Sequence, residues 1–299
     1  MKRQRTGLTL VELLTVVAII AILLGLLVPA VTMVRTSALR AKQKAQITAI
    51  EVGLTTFKND YGDYPPSSWT PAAFNGNYCG AQKLSEALLG WDLLGFHPSS
   101  GWNAEGSAYG PDLKATNPDA YQTNLSQRKG RYLELQNANA FRLGNVSAAE
   151  AGLFSNTSPL APNTYVLCDV FSNPKMKVVR QDGKVSSAGM PILYYRADST
   201  QKSIRRIYDV RDNDAIVELV HLKTGKGQPL GSGPYPAPFN NQLDFFYGTD
   251  NPVDGAVGYI QDPSVTATPW PYKPDSYLLI TAGQDGIYGT PDDICNFGD

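Results

Sequence analysis

Histidine is almost missing from this chain, cysteine is scarce and charge is thin. Its 299 residues include two histidines, three cysteines and only 18% charged side chains. Each shortage closes off a class of function. His97 precedes a proline, and His221 lies in an apolar run. Neither sits in a nucleophile or zinc motif. There is no G-x-S-x-G elbow, phosphate loop or dinucleotide fingerprint, so nothing in the sequence argues for an enzyme. Cys79, Cys168 and Cys295 are far apart, with no C-x-x-C pair and no adjacent histidine, which argues against zinc. One disulfide plus a free thiol fits the count, and so do three free thiols. A net charge of −1 gives no nucleic-acid signature. Setting aside Met1 to Gly7, which holds Lys2, Arg3 and Arg5, leaves 23 basic residues against 27 acidic, a net of −4.

What is plentiful is glycine, proline and tyrosine, at 27, 21 and 16 residues. That composition suits a loop-rich domain outside the cytoplasm. A long apolar run precedes it. Leu13 to Val34 contains 22 residues without a charge. As a helix it would rise about 33 Å, enough to cross a hydrocarbon core of about 30 Å. So long an uncharged run is rare in a soluble core. It also exceeds the apolar stretch of about 7 to 15 residues in a cleaved secretory signal, although Thr36-Ser37-Ala38 could serve as a late cut site. Basic residues flank both ends: Lys2, Arg3 and Arg5 before, Arg35, Arg40, Lys42 and Lys44 after. Loop charge alone therefore leaves the orientation near a tie. One carboxylate, Glu12, stands at the edge of the run, where burial in lipid is costly.

The string Gly7-Leu8-Thr9-Leu10-Val11-Glu12, placed after a short basic leader, resembles the prepilin signal of type IV pilins and type II secretion pseudopilins. The resemblance implies cleavage between Gly7 and Leu8 on the cytoplasmic face by prepilin peptidase, then methylation of the Leu8 amine. Phenylalanine is the usual residue at the position of Leu8. The resemblance further implies that Glu12, the fifth mature residue, pairs with the N-terminal amine of a neighbouring subunit in a filament. Its inner-membrane anchor would be single-pass, with the C-terminal domain in the periplasm. Expected partners are further copies of the chain, other pseudopilins, the peptidase and the inner-membrane assembly platform of the secretion system. No nucleic acid is expected.

Beyond the apolar run, Ile47, Ile50, Leu54, Phe57 and Tyr61 recur at spacings of three and four. One helix is predicted over residues 8–62, weakened at Pro29, Gly25 and Gly53 and stopped at Gly62 before Pro65-Pro66. Residues 67–163 read as a large irregular insertion. Within it "KLSEALLGWDLLGF" predicts a short helix with Leu84, Leu88, Trp91 and Leu94 on one side, and Ser147 with Glu150 forms a capping-box pattern. From Thr164 onward the runs "TYVLCDV", "KMKVVRQ", "PILYYRA", "IRRIYDV", "AIVELVHL", "LDFFYG" and "SYLLITA" read as strands, with a turn at Gln181-Asp182-Gly183-Lys184. The expected fold is α+β: a pilin-like long helix packed on an antiparallel sheet. The domains are a leader at 1–7, the helix, and a globular part from 63 to 299.

The chain closes on "TAGQDGIYGTPDDICNFGD". Asp285, Asp292 and Asp293 stand in a glycine-rich loop that can wrap a hard cation, although the spacing is not that of an EF-hand. The segment resembles the C-terminal calcium loop of the major pseudopilin of type II secretion. That resemblance implies calcium held by Asp285, Asp292 and Asp293 with nearby backbone carbonyls, and leaves Asp299 outside. The function implied by the two ends is a pseudopilus subunit. The alternatives are a type IV pilus subunit and a tethered binding domain that uses a prepilin signal, with the insertion as its active part.

Overall fold

A single helix of 52 residues, α1 (Leu10–Tyr61), begins the described chain. The computed structural model describes residues 9–68, 70–72, 76–98, 102, 116–143, 160, 164–179, 185–249 and 256–298. The chain divides into two units, residues 1–42 and 43–299. In the first, α1 is long and apolar enough to cross a membrane, and none of its most apolar stretch is buried. Pro29 lies inside the helix without ending it, and Thr32 Oγ1 donates to the Pro29 carbonyl at 2.8 Å.

In the second unit α1 turns amphipathic. Gln43, Gln46, Ile47, Ile50, Gly53, Leu54 and Phe57 are buried, at the period of one helix face. The helix stops where expected: Gly62 adopts φ +87°, and its N–H donates to Lys58 O at 2.7 Å. Gly53 has a packing reason as well as a propensity cost. A Cβ there would stand 2.9 Å from Leu88 Cδ2 and from the Tyr132 carbonyl oxygen. Only a bare backbone lets α1 approach this closely.

The elements that follow are β1 (Thr70–Ala72), β2 (Gly76–Tyr78), α2 (Gly80–Leu89), α3 (Pro118–Ser126), α4 (Leu135–Ala138), β3 (Ala140–Arg142), β4 (Tyr165–Leu167), β5 (Lys177–Val179), β6 (Val185–Ser187), β7 (Leu193–Arg196), α5 (Ile204–Ile207), a 3-10 turn (Val210–Asn213), α6 (Asp214–Thr224), α7 (Gln242–Tyr247), β8 (Tyr277–Thr281) and β9 (Ile294–Cys295). The central sheet runs β7-β8-β9, antiparallel throughout, with Leu193 opposite Ile280 and Thr281 opposite Ile294. β3 pairs with β4, and β5 with β6. This is an α+β fold.

Alternation along β7 and β8 sends side chains to two cores. Tyr194, Tyr277 and Leu279 join Ile50 and Leu54 of α1 and Leu84 and Leu88 of α2. Tyr195, Leu278 and Ile280 face the other way, onto Val217 of α6 and Phe246 of α7. The sheet is therefore sandwiched between two helical layers.

The second layer corrects three expected strands. "IRRIYDV", "AIVELVHL" and "LDFFYG" lie in α5 with the 3-10 turn, in α6 and in α7. The β-branched content of the middle run favours a strand, but Ile216, Val217 and Val220 are buried at helical spacing. Gly225 closes α6 at φ +66°, its N–H donating to His221 O at 2.7 Å, and Asn241 caps α7 by accepting from Asp244 N at 2.9 Å. The helix expected at residues 83–96 starts earlier and ends at Leu89, so Trp91 and Leu94 fall beyond it. All ten residues of α2 are buried, so this part of the 67–163 segment belongs to the core. Ser147, Glu150 and the turn at 181–184 lie outside the described residues.

Candidate functional site

Two places expected to carry function stand at opposite ends of the chain. At the first, Thr9 is the N-cap of α1 and Glu12 is its third helical residue. Thr9 N and Thr9 Oγ1 both donate to Glu12 Oε2 at 2.8 Å, and Glu12 N approaches Thr9 Oγ1 at 3.3 Å. This is a capping box: a hydroxyl and a carboxylate satisfy backbone donors that the first turn leaves open. Leu13 N donates to Thr9 O at 3.2 Å and opens the helical ladder. Glu12 is exposed. The expected cut at Gly7 and Leu8 lies outside the described residues.

The second place is the loop between β8 and β9. Gly283, Gly286 and Gly289 all adopt positive φ, as the turns require. Asp292 organises the loop. Its Oδ2 accepts from Gln284 N at 2.7 Å and Asp285 N at 3.0 Å, and its Oδ1 accepts from Thr290 Oγ1 at 2.6 Å. Asp285 Oδ1 accepts from Ile287 N at 2.8 Å, so the Asp285 and Asp292 carboxyls both hold backbone amides of the same turn. Asp293 stands apart from that pair. Its Oδ2 accepts from Gly289 N at 2.8 Å and Tyr259 Oη at 2.5 Å, while Thr290 Oγ1 stands 3.4 Å from its Oδ1.

Three carboxylates in one small loop cannot all ionise freely. Burial raises Asp285, and the charge of Asp292 adds to the rise. Burial also opposes the charge on Asp292, but the Thr290 hydroxyl and the amides of Asp285 and Gln284 outweigh it and hold Asp292 low. Asp293 is pushed up to about 7, mainly by burial, against the bonds it accepts from Tyr259 and Gly289.

Sequence reasoning missed the residues that clamp this loop from outside. Lys226 Nζ donates to the Asp285 carbonyl. Gln228, fully buried, accepts from Tyr288 N at 2.8 Å and donates to Gly286 O at 3.3 Å. Tyr288 Oη donates to Pro191 O at 2.5 Å. None of these carries a motif; each is a lone polar group whose partner is a backbone atom far away in sequence. Asp169 was missed for the same reason. It is wholly buried in the run "LCDV", with Oδ1 accepting from Phe171 N at 3.0 Å and Met190 N at 3.2 Å and, among the described residues, no hydrogen-bond partner on Oδ2. Burial first, then the charges of Asp293 and Asp292, push its carboxyl well above the usual range.

The loop brings Asp285 and Asp292 together and aims Asp293 at Tyr259. Among the described residues, no three His, Cys, Asp or Glu side chains form a group that could hold a metal ion. The three cysteines are free thiols, and Cys79 and Cys168 are buried.

Residues 2–28 match the family described as the prokaryotic N-terminal methylation motif. No curated protein and no solved structure matches the chain. The chain thus carries a prepilin-type signal at the head of its long apolar helix. Such a motif implies processing by prepilin peptidase and assembly with other pilin-like subunits, and the single apolar helix fits the membrane anchor of such proteins.

Proposed function

We propose that this chain is a structural subunit of a type II secretion pseudopilus, not an enzyme. It is cut between Gly7 and Leu8, methylated on Leu8 and stored in the bacterial inner membrane with its C-terminal unit in the periplasm. There it polymerises with copies of itself and other pseudopilins over the assembly platform and aids protein export. In the membrane pool Glu12 caps its own helix through Thr9. In the filament the same carboxylate is offered to the amine of a neighbouring Leu8, a charge it can meet without leaving the capping box.

The observation that favours a pseudopilus over a pilus is the Asp285–Asp292 pair. Two carboxylates held close in one loop repel one another, and a divalent cation between them relieves that repulsion. The loop's donors are all hard oxygens: Asp285, Asp292, the Thr290 hydroxyl and backbone carbonyls, with Asp293 the next carboxylate along. That set suits calcium, which would fix the loop by bridging its two ends. Pilus subunits of this family more often close the same region with a disulfide, and here the thiols are free.

One preparation tests both halves. Full-length protein extracted from the envelope in detergent should have a mature mass beginning at methylated Leu8, and its melting temperature should rise with calcium over a chelated control. An intact Met1, or a cut near Ala38, would refute the prepilin reading. A correct N-terminus with a melting curve unmoved by millimolar calcium would remove the ground for preferring a pseudopilus.

A further inference from the structure

The apolar run of α1 ends at Val34, and the charge that follows it is of one sign. Between Glu12 and Glu51 the chain holds no acidic residue and four basic ones, Arg35, Arg40, Lys42 and Lys44. The first three lie in the N-terminal of the two units, residues 1–42. All three are exposed on α1, and among the described residues none makes a hydrogen bond or ion pair through its side chain. Met33 and Val34, just before them, stay 72% and 69% exposed. A helix apolar all round needs lipid, so the three cations stand at the lipid's polar edge.

Their side of the span is the unexpected one. Basic residues close to a span are normally kept on the cytoplasmic face. If Lys2, Arg3 and Arg5 leave with the leader, as the proposed cut after Gly7 requires, the mature chain carries all its cations near the span on the far face. A membrane potential negative inside opposes that arrangement too. An attraction on the far face would offset this cost.

We propose that Arg35, Arg40 and Lys42 form a collar that binds anionic phospholipid headgroups in the leaflet on the C-terminal side of the span. That this leaflet is the periplasmic one rests on the proposed function. Depth favours the collar. With Val34 at the hydrocarbon edge, a rise of about 1.5 Å per residue puts Arg35, Arg40 and Lys42 about 1.5, 9 and 12 Å beyond it, against a headgroup layer of about 5–7 Å. Direction makes up the difference. Cα–Cβ bonds in a helix lean toward its N-terminus, here back toward the lipid, so the long stems of Arg40 and Lys42 bring their charges down. Spread favours lipid over one protein face: Lys42 lies two turns above Arg35, while Arg40 is about 140° round the helix from Arg35. Charge selects the headgroup. A zwitterionic lipid brings its own cation against the collar, whereas phosphatidylglycerol offers a phosphate alone, which guanidinium groups meet in two-point contact.

The test is electron paramagnetic resonance of spin-labelled lipids in phosphatidylcholine vesicles holding the chain as extracted from the envelope, its N-terminus read by mass. Labelled phosphatidylglycerol should associate with the protein about fivefold more strongly than labelled phosphatidylcholine, the effect of one cation at an anionic surface. Raising salt from about 0.05 M to about 0.5 M should bring that ratio below about twofold. R35Q/R40Q/K42Q should lower it to a similar extent at low salt. R35K/R40K keeps every charge and should keep the preference. Replacing chloride by phosphate at equal ionic strength should change nothing, because the ligand is a lipid and not a free anion. Equal association of the two lipids with the wild type would overturn the proposal and leave the collar to an acidic protein partner. A preference that R35Q/R40Q/K42Q does not lower, its loss in R35K/R40K, or its displacement by phosphate would overturn it as well. A retained leader would refute the prepilin reading alone, since the fall from wild type to the triple variant still decides the collar.

Discussion

One helix meets two surroundings. From Leu10 to Val34 not one side chain is buried, and Leu10 and Ile20 stay 78% and 48% exposed. From Gln43 to Phe57 seven residues are buried, with Ile50 and Leu54 fully so. The backbone is helical throughout, so secondary structure does not separate the halves; patterning does. The first half is apolar all round, which suits a lipid solvent. The second is apolar on one face, which suits a protein core. Where protein contact begins, the buried residues are glutamines. Gln43 Oε1 accepts from Val170 N at 2.8 Å, and Gln46 Nε2 donates to the carbonyls of Ala138 and Cys168 at 3.1 and 3.0 Å.

The sharpest way to break this contrast is a matched pair of truncations, read by thermal or denaturant melting of the full chain in detergent. Leu54→Ala should destabilise the C-terminal unit by about 2–5 kcal/mol through the cavity it leaves. Leu23→Ala should leave the same transition within about 0.5 kcal/mol. Similar losses from both would mean the halves share one core. A smaller effect, about 1–3 kcal/mol, is expected for Gln46→Leu, which strands the Ala138 carbonyl and leaves Cys168 O with Asn139 Nδ2 alone; a neutral result would reduce the glutamines to fillers.

A pH scan sets a buried carboxyl against the exposed one. Asp169 has a folded pKa raised well above its unfolded value. Its contribution is therefore complete below about pH 4 and is lost as pH rises toward the folded value, because the folded state binds the proton more tightly. Asp293, raised to about 7, acts with the same sign. Calcium-free protein should accordingly melt at lower temperature as pH climbs from about 5 to 8, and Asp169→Asn should flatten that slope. An equal slope in the variant would assign the whole effect elsewhere. The smallest expected change in melting is for Glu12→Leu. The C-terminal unit should melt as before, while filament assembly, scored by electron microscopy, should fail. Normal filaments would leave Glu12 as a helix cap alone.

The long helix, its end at Gly62 and the strands around Leu167, Tyr194 and Leu279 were legible because each has a strong period or β-rich composition. The helical layer from Ile204 to Tyr247 was not. Its runs are short and β-branched, and their helical state is decided by the sheet face they cover. The caps were present nonetheless: Gly225, Asn241 and Gly248 mark helix ends that a period-first reading passed over. At the C-terminal loop the carboxylates and glycines could be read directly. The clamp from Lys226, Gln228 and Tyr259 could not, because it consists of single side chains meeting backbone or carboxylate from remote positions.

The order of the central sheet has a consequence for synthesis. β8, between β7 and β9, spans Tyr277–Thr281, so the middle strand leaves the ribosome long after β7 and the helices that cover it. Until then the stripe of Ile50 and Leu54 lacks Leu279, and both sheet faces lack their centre. Native closure must wait for these late, long-range pairings. The C-terminal unit thus cannot close until β8 has been made, well after α1. A chain halted before Tyr277 would carry an anchor and no finished cargo behind it.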